Sequence, residues 1–339
     1  MANSGAGMEA EKRKPKALVL LSGGLDSLLA TKIILDQGVD VEAIHFIIPF
    51  HKYNHDMIDK LSEELNIKIH EVHLGQEFLD IVANPRYGYG SQMNPCIDCR
   101  ILMFRKAKEL AEKIGADFLV TGEVLDERPF SQRLKAMLLI EREAGLEGKI
   151  LRPLSAKLLP PTEAEKAGLI NREKLLAIRG RRRIQQIKLA IEYGIKNYPT
   201  PSGGCLLTDP AFARRVKDHL QHEGRLTPKD AKLLMIGRHF RINGVKVIVG
   251  RNMEENDKLY VLSEQYNILR LMVKDYKGPI TLITDKCDLS VVRMAAAITV
   301  RYSDAPKDVP VRVIYKHAEG ESEIDVTSID EGEIERLRV

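Results

Sequence analysis

The stretch Ala17-Leu18-Val19-Leu20-Leu21-Ser22-Gly23-Gly24-Leu25-Asp26-Ser27 decides how this chain is read. An apolar run, a glycine pair and a helical pattern over Leu28–Gln37 predict strand, turn and helix in immediate succession. Gly23 and Gly24 can take positive φ and carry no Cβ, so the backbone can approach a ligand closely. The helix that follows aims unpaired N–H groups and a positive dipole end at the same place, which suits an anion. Ser22 and Ser27 add hydroxyl donors. Asp26 would repel a phosphate unless a cation sits between them or the carboxylate caps backbone N–H groups. The peptide therefore reads as a cradle for nucleotide phosphates. It is not the G-x-x-x-x-G-K-[ST] loop, because no lysine follows the glycines. The plainer alternative is a glycine-rich strand-to-helix turn with an Asp or Ser cap.

Outward from this loop, residues 16 to about 160 alternate short apolar runs with helical patterns. Strands are expected at Ala17–Leu21, Val41–Ile48, Ile67–Leu74 and Phe118–Thr121, and helices at Leu28–Gln37, His55–Leu65 and Ile101–Ile114. On the last helix Leu102, Ala107, Leu110, Ala111 and Ile114 are the expected buried positions. Strands separated by helices pair in parallel through right-handed crossovers, so the expected fold class is α/β with a doubly wound parallel sheet. Ligands of such sheets sit at the carboxyl ends of the strands. There Ser22–Ser27, His45–Pro49 with Phe46, and Thr121-Gly122-Glu123 would converge.

Residues 150–235 read as helical and basic. Pro153, Pro160 and Pro161 interrupt the pattern, and Pro199-Thr200-Pro201-Ser202-Gly203-Gly204 forms a loop before Cys205. From about Phe240 strands are expected at Phe240–Ile242, Val245–Gly250, Leu259–Val261, Ile280–Thr284, Val311–Tyr315 and Ser322–Val326. Asn243-Gly244 would form a hairpin turn and Leu289–Thr299 a helix, giving an α+β module. The domain reading is a disordered tail over 1–15, a nucleotide-binding domain over 16–175, a basic helical extension over 176–238 that carries Cys205, and the C-terminal module over 239–339.

The chain has 339 residues, room for two or three domains, with 44% hydrophobic and 29% charged residues, a composition suited to folded cores. No apolar run reaches the roughly eighteen residues of a membrane span, and Met1–Met8 lacks the apolar core of a secretory signal, so a cytoplasmic location is expected. The net charge is +4. Arg179, Arg181, Arg182, Arg183 and Lys188 concentrate positive charge within ten residues, enough to neutralise several phosphates of a nucleic acid, unless they form only a solvated helix face.

Of the four cysteines, Cys96 and Cys99 stand three residues apart in Asn94-Pro95-Cys96-Ile97-Asp98-Cys99-Arg100, just before the long helix. Thiols at a helix N-terminus are favoured as thiolates and can ligate one metal. Cys205 could supply a third ligand from its glycine-rich loop. Three thiolates can hold three irons of a 4Fe-4S cluster and leave the fourth open, whereas structural zinc prefers four closed ligands and no fourth is evident. A zinc knuckle completed by a histidine, a dithiol redox pair and unrelated core cysteines stay open as alternatives. Cys287 has no nearby partner in sequence and is read as structural.

Ser22–Ser27 resembles the PP-loop signature S-G-G-x-D-S of ATP pyrophosphatases, which cleave ATP between its α and β phosphates and adenylate a substrate. Together with the C-x-x-C after Asn-Pro and the distant third cysteine, residues of about 17–210 resemble the PP-loop tRNA thiouridine synthetases of the ThiI type. Leu119-Val120-Thr121-Gly122-Glu123, Ser131-Gln132 and Leu151-Arg152-Pro153-Leu154 are similar to the L-V-T-G-E, S-Q and L-R-P-L segments of the 4-thiouridine group. Some relatives have Asp at the first position of the C-x-x-C, so Cys96 favours the cluster-dependent branch. Neither a THUMP nor a rhodanese-like domain is recognisable. Gly244–Asp257 and Ala295–Tyr315 resemble the NFACT-R RNA-binding module, a match over roughly 240–320.

The resemblance implies an adenine-nucleotide hydrolase fold and a transferase that adenylates a uridine carbonyl of tRNA and replaces its oxygen by sulfur, giving 4-thiouridine or 2-thiouridine. It implies ATP bound by Ser22, Gly23, Gly24, Asp26, Ser27, His45, Phe46, Thr121 and Gly122, with Mg2+ balancing the phosphates. It implies a 4Fe-4S cluster on Cys96, Cys99 and Cys205, with Asp26, Cys99 and Cys205 as catalytic residues. Persulfide chemistry on Cys99 or Cys205 is the alternative to a cluster. RNA would be held by Arg179, Arg181, Arg182, Arg183, Lys188 and Arg251. A sulfur donor, sulfide or a persulfide carrier, is a required partner, no membrane is involved, and the chain leaves room for a homodimer. Two rival functions stay open: a nucleotide-dependent RNA- or ribosome-binding factor without chemistry, and another adenylating PP-loop enzyme of amidation or lysidine type.

Overall fold

The structure, a computed structural model, describes residues 13–51, 55–196, 198, 204–317 and 320–339. The tail over 1–12 and the whole of residues 199–203 lie outside the described residues. The chain divides into two compact units. The first comprises residues 1–74, 85–90 and 95–204, and the second residues 75–84, 91–94 and 205–339.

In the first unit the elements are β1 (Lys16–Leu20), α1 (Leu25–Leu35), β2 (Asp40–Ile47), α2 (His55–Leu65) and β3 (Lys68–His73), followed by α4 (Cys96–Ile114), β4 (Phe118–Thr121), α5 (Leu134–Ala144), β5 (Ile150–Leu151), α6 (Glu163–Lys166) and α7 (Ile184–Glu192); α3 (Gln76–Ala83) belongs to the second unit. The strands pair in parallel in the order β3-β2-β1-β4-β5. The expected doubly wound sheet is therefore present. The central strands β1 and β4 are apolar except at Lys16 and Thr121 and almost wholly buried, as strands covered on both faces must be. From β1 the chain builds outward through β2 and β3, then returns to add β4 and β5 on the other side. The order reverses between β1 and β4, which fixes the crevice at the carboxyl ends of those two strands as the place for a ligand.

Two helices begin earlier than the sequence suggests. α1 starts at Leu25, so Asp26 and Ser27 occupy its first turn rather than the loop before it. α4 starts at Cys96, so both thiols of the C-x-x-C lie on the helix. Its buried face is Ile97, Asp98, Ile101, Phe104, Ala107 and Ala111; Leu102, Leu110 and Ile114, expected inside, are only partly buried. The earlier start adds Ile97 to a stripe that runs through Ile101, Phe104, Ala107 and Ala111 at helical spacing and leaves Leu102, Leu110 and Ile114 at its edge. Residues 150–183, read from the sequence as helical, hold the one-turn helix α6, two short 3-10 turns and extended segments.

The second unit continues with α8 (Pro210–Glu223), α9 (Pro228–Leu234), β6 (Arg238–Ile242), β7 (Val245–Val249), α10 (Met253–Tyr266), β8 (Leu269–Val273), β9 (Thr281–Ile283), α11 (Leu289–Arg301), β10 (Val311–His317), β11 (Gly320–Val326) and α12 (Glu331–Leu337). Its sheet is antiparallel, in the order β11-β10-β8-β9-β7-β6. Asn243 and Gly244, both at positive φ, close the β6–β7 hairpin as expected. Val291, Val292, Ala295 and Ile298 of α11 pack in one core with Val247, Leu271 and Ile283 of the sheet. The strand expected at Leu259–Val261 is instead the middle of α10. Asn252 caps that helix by accepting from the Glu255 N–H, and Glu254 and Glu255 favour its dipole, so a local helix start overrides the β-prone Tyr260 and Val261. β8 takes the strand's place in the sheet.

Candidate active site

The loop after β1 is held by its own side chains. Ser22 Oγ accepts from the Gly24 N–H at 3.3 Å and Ser27 Oγ donates to the Gly24 carbonyl at 2.8 Å. The same carbonyl accepts from the Ser27 and Leu28 N–H groups, so Gly24 is the N-cap of α1. Of the glycine pair, only Gly23 uses the left-handed region, at φ 77°, while Gly24 is extended at φ −76°. Across the crevice, Gly122 follows β4. A Cβ there would lie 2.5 Å from the backbone C and O of Asp26 and the N of Ser27. Only glycine lets the β4 end close against the first turn of α1, which unites two segments that the sequence assigned to one site.

α7 contributes a second helix N-terminus. Asp26 meets Arg183 at the start of the two helices, and Asp36 accepts from the Tyr193 hydroxyl at 2.7 Å at their ends, both at a sequence offset of 157 residues. The two helices therefore run parallel and both point their positive dipole ends at the loop. Tyr193 is pushed up to about 12, first by burial and then by its bond to Asp36. Arg183 forks between two carboxylates. Its Nη2 pairs with Asp26 Oδ2, and its Nε lies 3.1 Å from Glu127 Oε1. All three side chains are at most 16% exposed. Burial, reinforced by the charge of Asp26, holds the Glu127 carboxyl above the usual range. Asp26 Oδ1 is buried with no hydrogen-bond partner. Two carboxylates sharing one guanidinium, one of them with an unsatisfied buried oxygen, are a donor set that fits a hard divalent cation. Arg183 at φ 49°, Asp126 at φ 61° and the fully buried Phe50 at φ 66° are non-glycine residues in the left-handed region. Such conformations cluster where the surrounding structure dictates geometry.

Beneath this site lies a buried ion-pair chain. Arg152 Nε donates to Glu123 Oε2 at 3.0 Å and its Nη1 donates to Glu141; Arg100 Nε lies 3.4 Å from Glu123 Oε1. Burial alone would lower Arg152, but Glu123 and Glu141 hold it above its ordinary value. The segments Leu119–Glu123 and Leu151–Leu154 thus meet as Glu123 against Arg152 on adjoining strand ends. Ser131 and Gln132 are buried, and the Gln132 carbonyl accepts from the Asp126 N–H at 2.8 Å. His45 Nδ1 lies 2.8 Å from the Leu21 carbonyl, and burial lowers its imidazole. His51 is lowered first by desolvation and then by the charges of Arg128, His45 and Arg100. Its ring fills the space above Gly204, where a Cβ would lie 2.8 Å from its Cε1.

Cys96 and Cys99 share the first turn of α4, with Cys99 Sγ 3.9 Å from Met103 Sδ. The Asp98 carboxylate accepts from the Arg86 and Tyr87 N–H groups at 3.2 and 3.0 Å, tying residues 85–90 to the thiol-bearing turn. Soft thiol donors at i and i+3 suit iron–sulfur or zinc ligation. Cys205 belongs to the second unit, at the start of the short turn Leu206–Thr208. Among the described residues no three His, Cys, Asp or Glu side chains are gathered to hold a metal ion. Arg179 is 67% exposed and pairs with Asp126, Arg181 Nε donates to the Glu127 carbonyl, and Arg182 and Lys188 are exposed. Arg183, grouped with them in the sequence, is turned inward. Arg251, in the second unit, forks onto Glu255.

Residues 13–157 match the family model described as thiamine biosynthesis protein (ThiI), and residues 237–338 match the NFACT protein RNA binding domain. The chain carries a ThiI-family domain followed by an NFACT RNA-binding domain. A tRNA-specific 2-thiouridylase MnmA of Sulfurimonas denitrificans is 32% identical over 118 residues, covering 32% of this chain and 35% of that protein. A tRNA sulfurtransferase of Desulfurococcus amylolyticus is 30% identical over 142 residues, 41% of this chain and 29% of that protein. The chain thus spans about a third of the length of these curated relatives. The U34-tRNA thiolase NcsA of Methanococcus maripaludis, solved with its [4Fe-4S] cluster, aligns at 18% identity over 66% of this chain and 70% of its own, with a TM-score of 0.32, too loose a likeness to build on.

Beside the predicted site residues the structure places Glu127, bonded to Arg183; Arg100, paired with Glu123; and His51, which feels the charges of Arg128 and Arg100; none of these was singled out in the sequence. Glu127 and Arg128 follow Thr121-Gly122-Glu123 closely enough to be suspected. His51 and Arg100 carried no signal beyond their nearness to β2 and to Cys99. No helix among the described residues is long and apolar enough to cross a membrane.

Proposed function

We propose that this chain is an ATP-dependent tRNA-uridine sulfurtransferase. The observation that carries the reading is the Ser22–Ser27 loop, closed by Gly122 at the β1–β4 reversal within a ThiI-family domain whose α4 presents two thiols. The N–H groups at the starts of α1 and α7 would receive the phosphates of ATP, with Ser22 and Ser27 as hydroxyl donors. The charges of Arg128 and Arg100 both disfavour the protonated His51, and a polyanion bound beside it would relieve that repulsion. His45, Phe46, Thr121 and Gly122 would flank the nucleoside. Asp26 and Glu127 would hold Mg2+, which would offset charge as the α-phosphate is attacked.

A uridine carbonyl oxygen is a poor leaving group. Its attack on the α-phosphorus forms a C–O–P bond and expels pyrophosphate. Hydrosulfide then adds to the activated ring carbon, AMP departs with the oxygen, and loss of the sulfur-bound proton leaves C=S. With sulfide as the donor no oxidant or reductant is consumed; a persulfide carrier would release hydrosulfide only as a second thiol attacks its inner sulfur and forms a disulfide. A 4Fe-4S cluster held by Cys96, Cys99 and Cys205 would supply an open iron to carry and soften the hydrosulfide. The product is 4-thiouridine or 2-thiouridine, the sulfur coming from sulfide or a persulfide carrier. Arg179, Arg181, Arg182 and Lys188, with Arg251 in the NFACT RNA-binding domain, would bind the RNA backbone. A cytoplasmic site of action follows from the tRNA substrate.

The test is RNA-dependent AMP and thiouridine formation by the wild type and variants under anaerobic conditions. Asp26→Ala should abolish both. Cys96→Ser should abolish thiouridine formation, and no fold change in sulfur transfer on its removal would reject the thiol chemistry.

A further inference from the structure

Arg183 was grouped by sequence with the RNA-facing arginines, yet it is built into the nucleotide site. Its guanidinium lies between Asp26 and Glu127, the two carboxylates best placed to meet a metal, while Asp26 Oδ1 remains buried and unpartnered. Its backbone is held at φ 49°, ψ 8° at the N-cap of α7, without a side-chain capping bond. A non-glycine residue there is strained and persists only when other contacts enforce it. The two ion pairs to Asp26 and Glu127 are the contacts that do so. A cation already occupies the face of the carboxylate pair that a divalent ion would use.

We propose that Arg183 is an internal competitor for the divalent cation: it neutralises Asp26 and Glu127 while the nucleotide is absent and gives way when metal and ATP arrive together. This deepens the proposed function, since it rests on the loop binding ATP. It makes Arg183 a positioning residue acting through Asp26 and Glu127. Without nucleotide, a divalent ion must displace a guanidinium forked across two carboxylates. With nucleotide, the phosphates offer the released guanidinium a replacement anion, so displacement costs less. Metal and nucleotide then bind with positive coupling, which by linkage is the same measured from either side. The same exchange would return Arg183 towards the phosphates and relax the strained start of α7.

The experiment is Mn2+ binding to the full-length chain by electron paramagnetic resonance, with and without α,β-methylene-ATP. The wild type should bind Mn2+ weakly alone and at least about tenfold more tightly with the analogue. Arg183→Gln should bind Mn2+ alone about tenfold more tightly than the wild type, and the analogue should add little. Glu127→Gln combined with Arg183→Gln should lose that gain, because one carboxylate of the pair is gone. Arg183→Lys, which keeps the charge but cannot fork, should shift in the same direction by less, and it decides the question should the glutamine variant fail to fold. Unchanged Mn2+ affinity in the folded variants, or a gain that survives loss of the Glu127 charge, overturns the proposal. Failure of sulfur transfer would leave these binding results untouched, so the two readings fail separately.

Discussion

Replacing Gly122 by alanine tests the assembly of the nucleotide site from two distant segments. The added Cβ would sit 2.5 Å from three backbone atoms of Asp26 and Ser27. Ordinary contact begins near 3.4 Å, so the β4 end and the α1 turn must part by about 1 Å. No side chain can rotate away to absorb this, because every close atom is main chain. Overpacking of this kind costs about 1–3 kcal/mol. A shift of about 1 Å in a phosphate cradle should also cost about a hundredfold in turnover. Thermal denaturation and RNA-dependent AMP formation would read the two effects. Gly24→Ala is the control, since its Cβ would meet only Ser22 Oγ, at 3.4 Å; its stability should change by less than about 1 kcal/mol. Gly23→Ala should fall between the two, paying roughly 1–2 kcal/mol for φ 77° and moving the flexible Met57 tip aside. If Gly122→Ala matches the wild type in melting temperature and rate, the close approach of these segments has no bearing on function and the reasoning fails.

Further outcomes follow from the charged groups. Arg152→Met, which strands Glu123 and Glu141 in the interior, should destabilise the chain by about 3–5 kcal/mol in denaturant titration; a loss below about 1 kcal/mol would show the pair is not buried as described. His51 is held below the ordinary imidazole range by desolvation and by the cations around it, so a bound polyanion should raise it. ATP binding should therefore take up a proton and tighten as pH falls through the raised value, levelling off below the free-state value; an NMR titration of His51 that does not move on adding ATP contradicts this. Lys246, buried against His219 Nδ1 at 3.0 Å, is lowered to about 8 by burial and by Arg241. The unfolded chain binds more protons between about pH 8 and 10.5, so folding stability should rise across that window in the wild type more than in Lys246→Met. Equal slopes would refute it. Neutralising Arg181 and Arg182 should weaken tRNA binding and flatten its salt dependence by roughly one charge each.

Much of the first unit was legible because its signals are local. An apolar run into Ser-Gly-Gly identifies β1 and the loop, and alternating strand and helix patterns determine a parallel sheet, so the place of the crevice at the strand ends follows from the sequence alone. What stayed hidden depends on long-range contact. Arg183 looked like its neighbours Arg181 and Arg182, and only the parallel packing of α7 on α1 shows that it reaches Asp26. Glu123 and Arg152 were noticed as motif residues, but their pairing across adjoining strands has no local signature. The strand expected at Leu259–Val261 failed because β-branched and aromatic content was weighed above the Asn252 cap and the acidic first turn of α10. α4 starts at Cys96 with Pro95 as its N-cap, whereas the apolar periodicity marks the helix only from Ile101.

The central claim is that ATP splitting in the first unit serves to exchange oxygen for sulfur on tRNA. Mass spectrometry of nucleosides from tRNA incubated anaerobically with the full chain, ATP, Mg2+ and sulfide tests it most directly. The account predicts a uridine heavier by about 16 Da, absent with Asp26→Ala or without ATP. Tight tRNA and ATP binding with AMP release but no such nucleoside would contradict it.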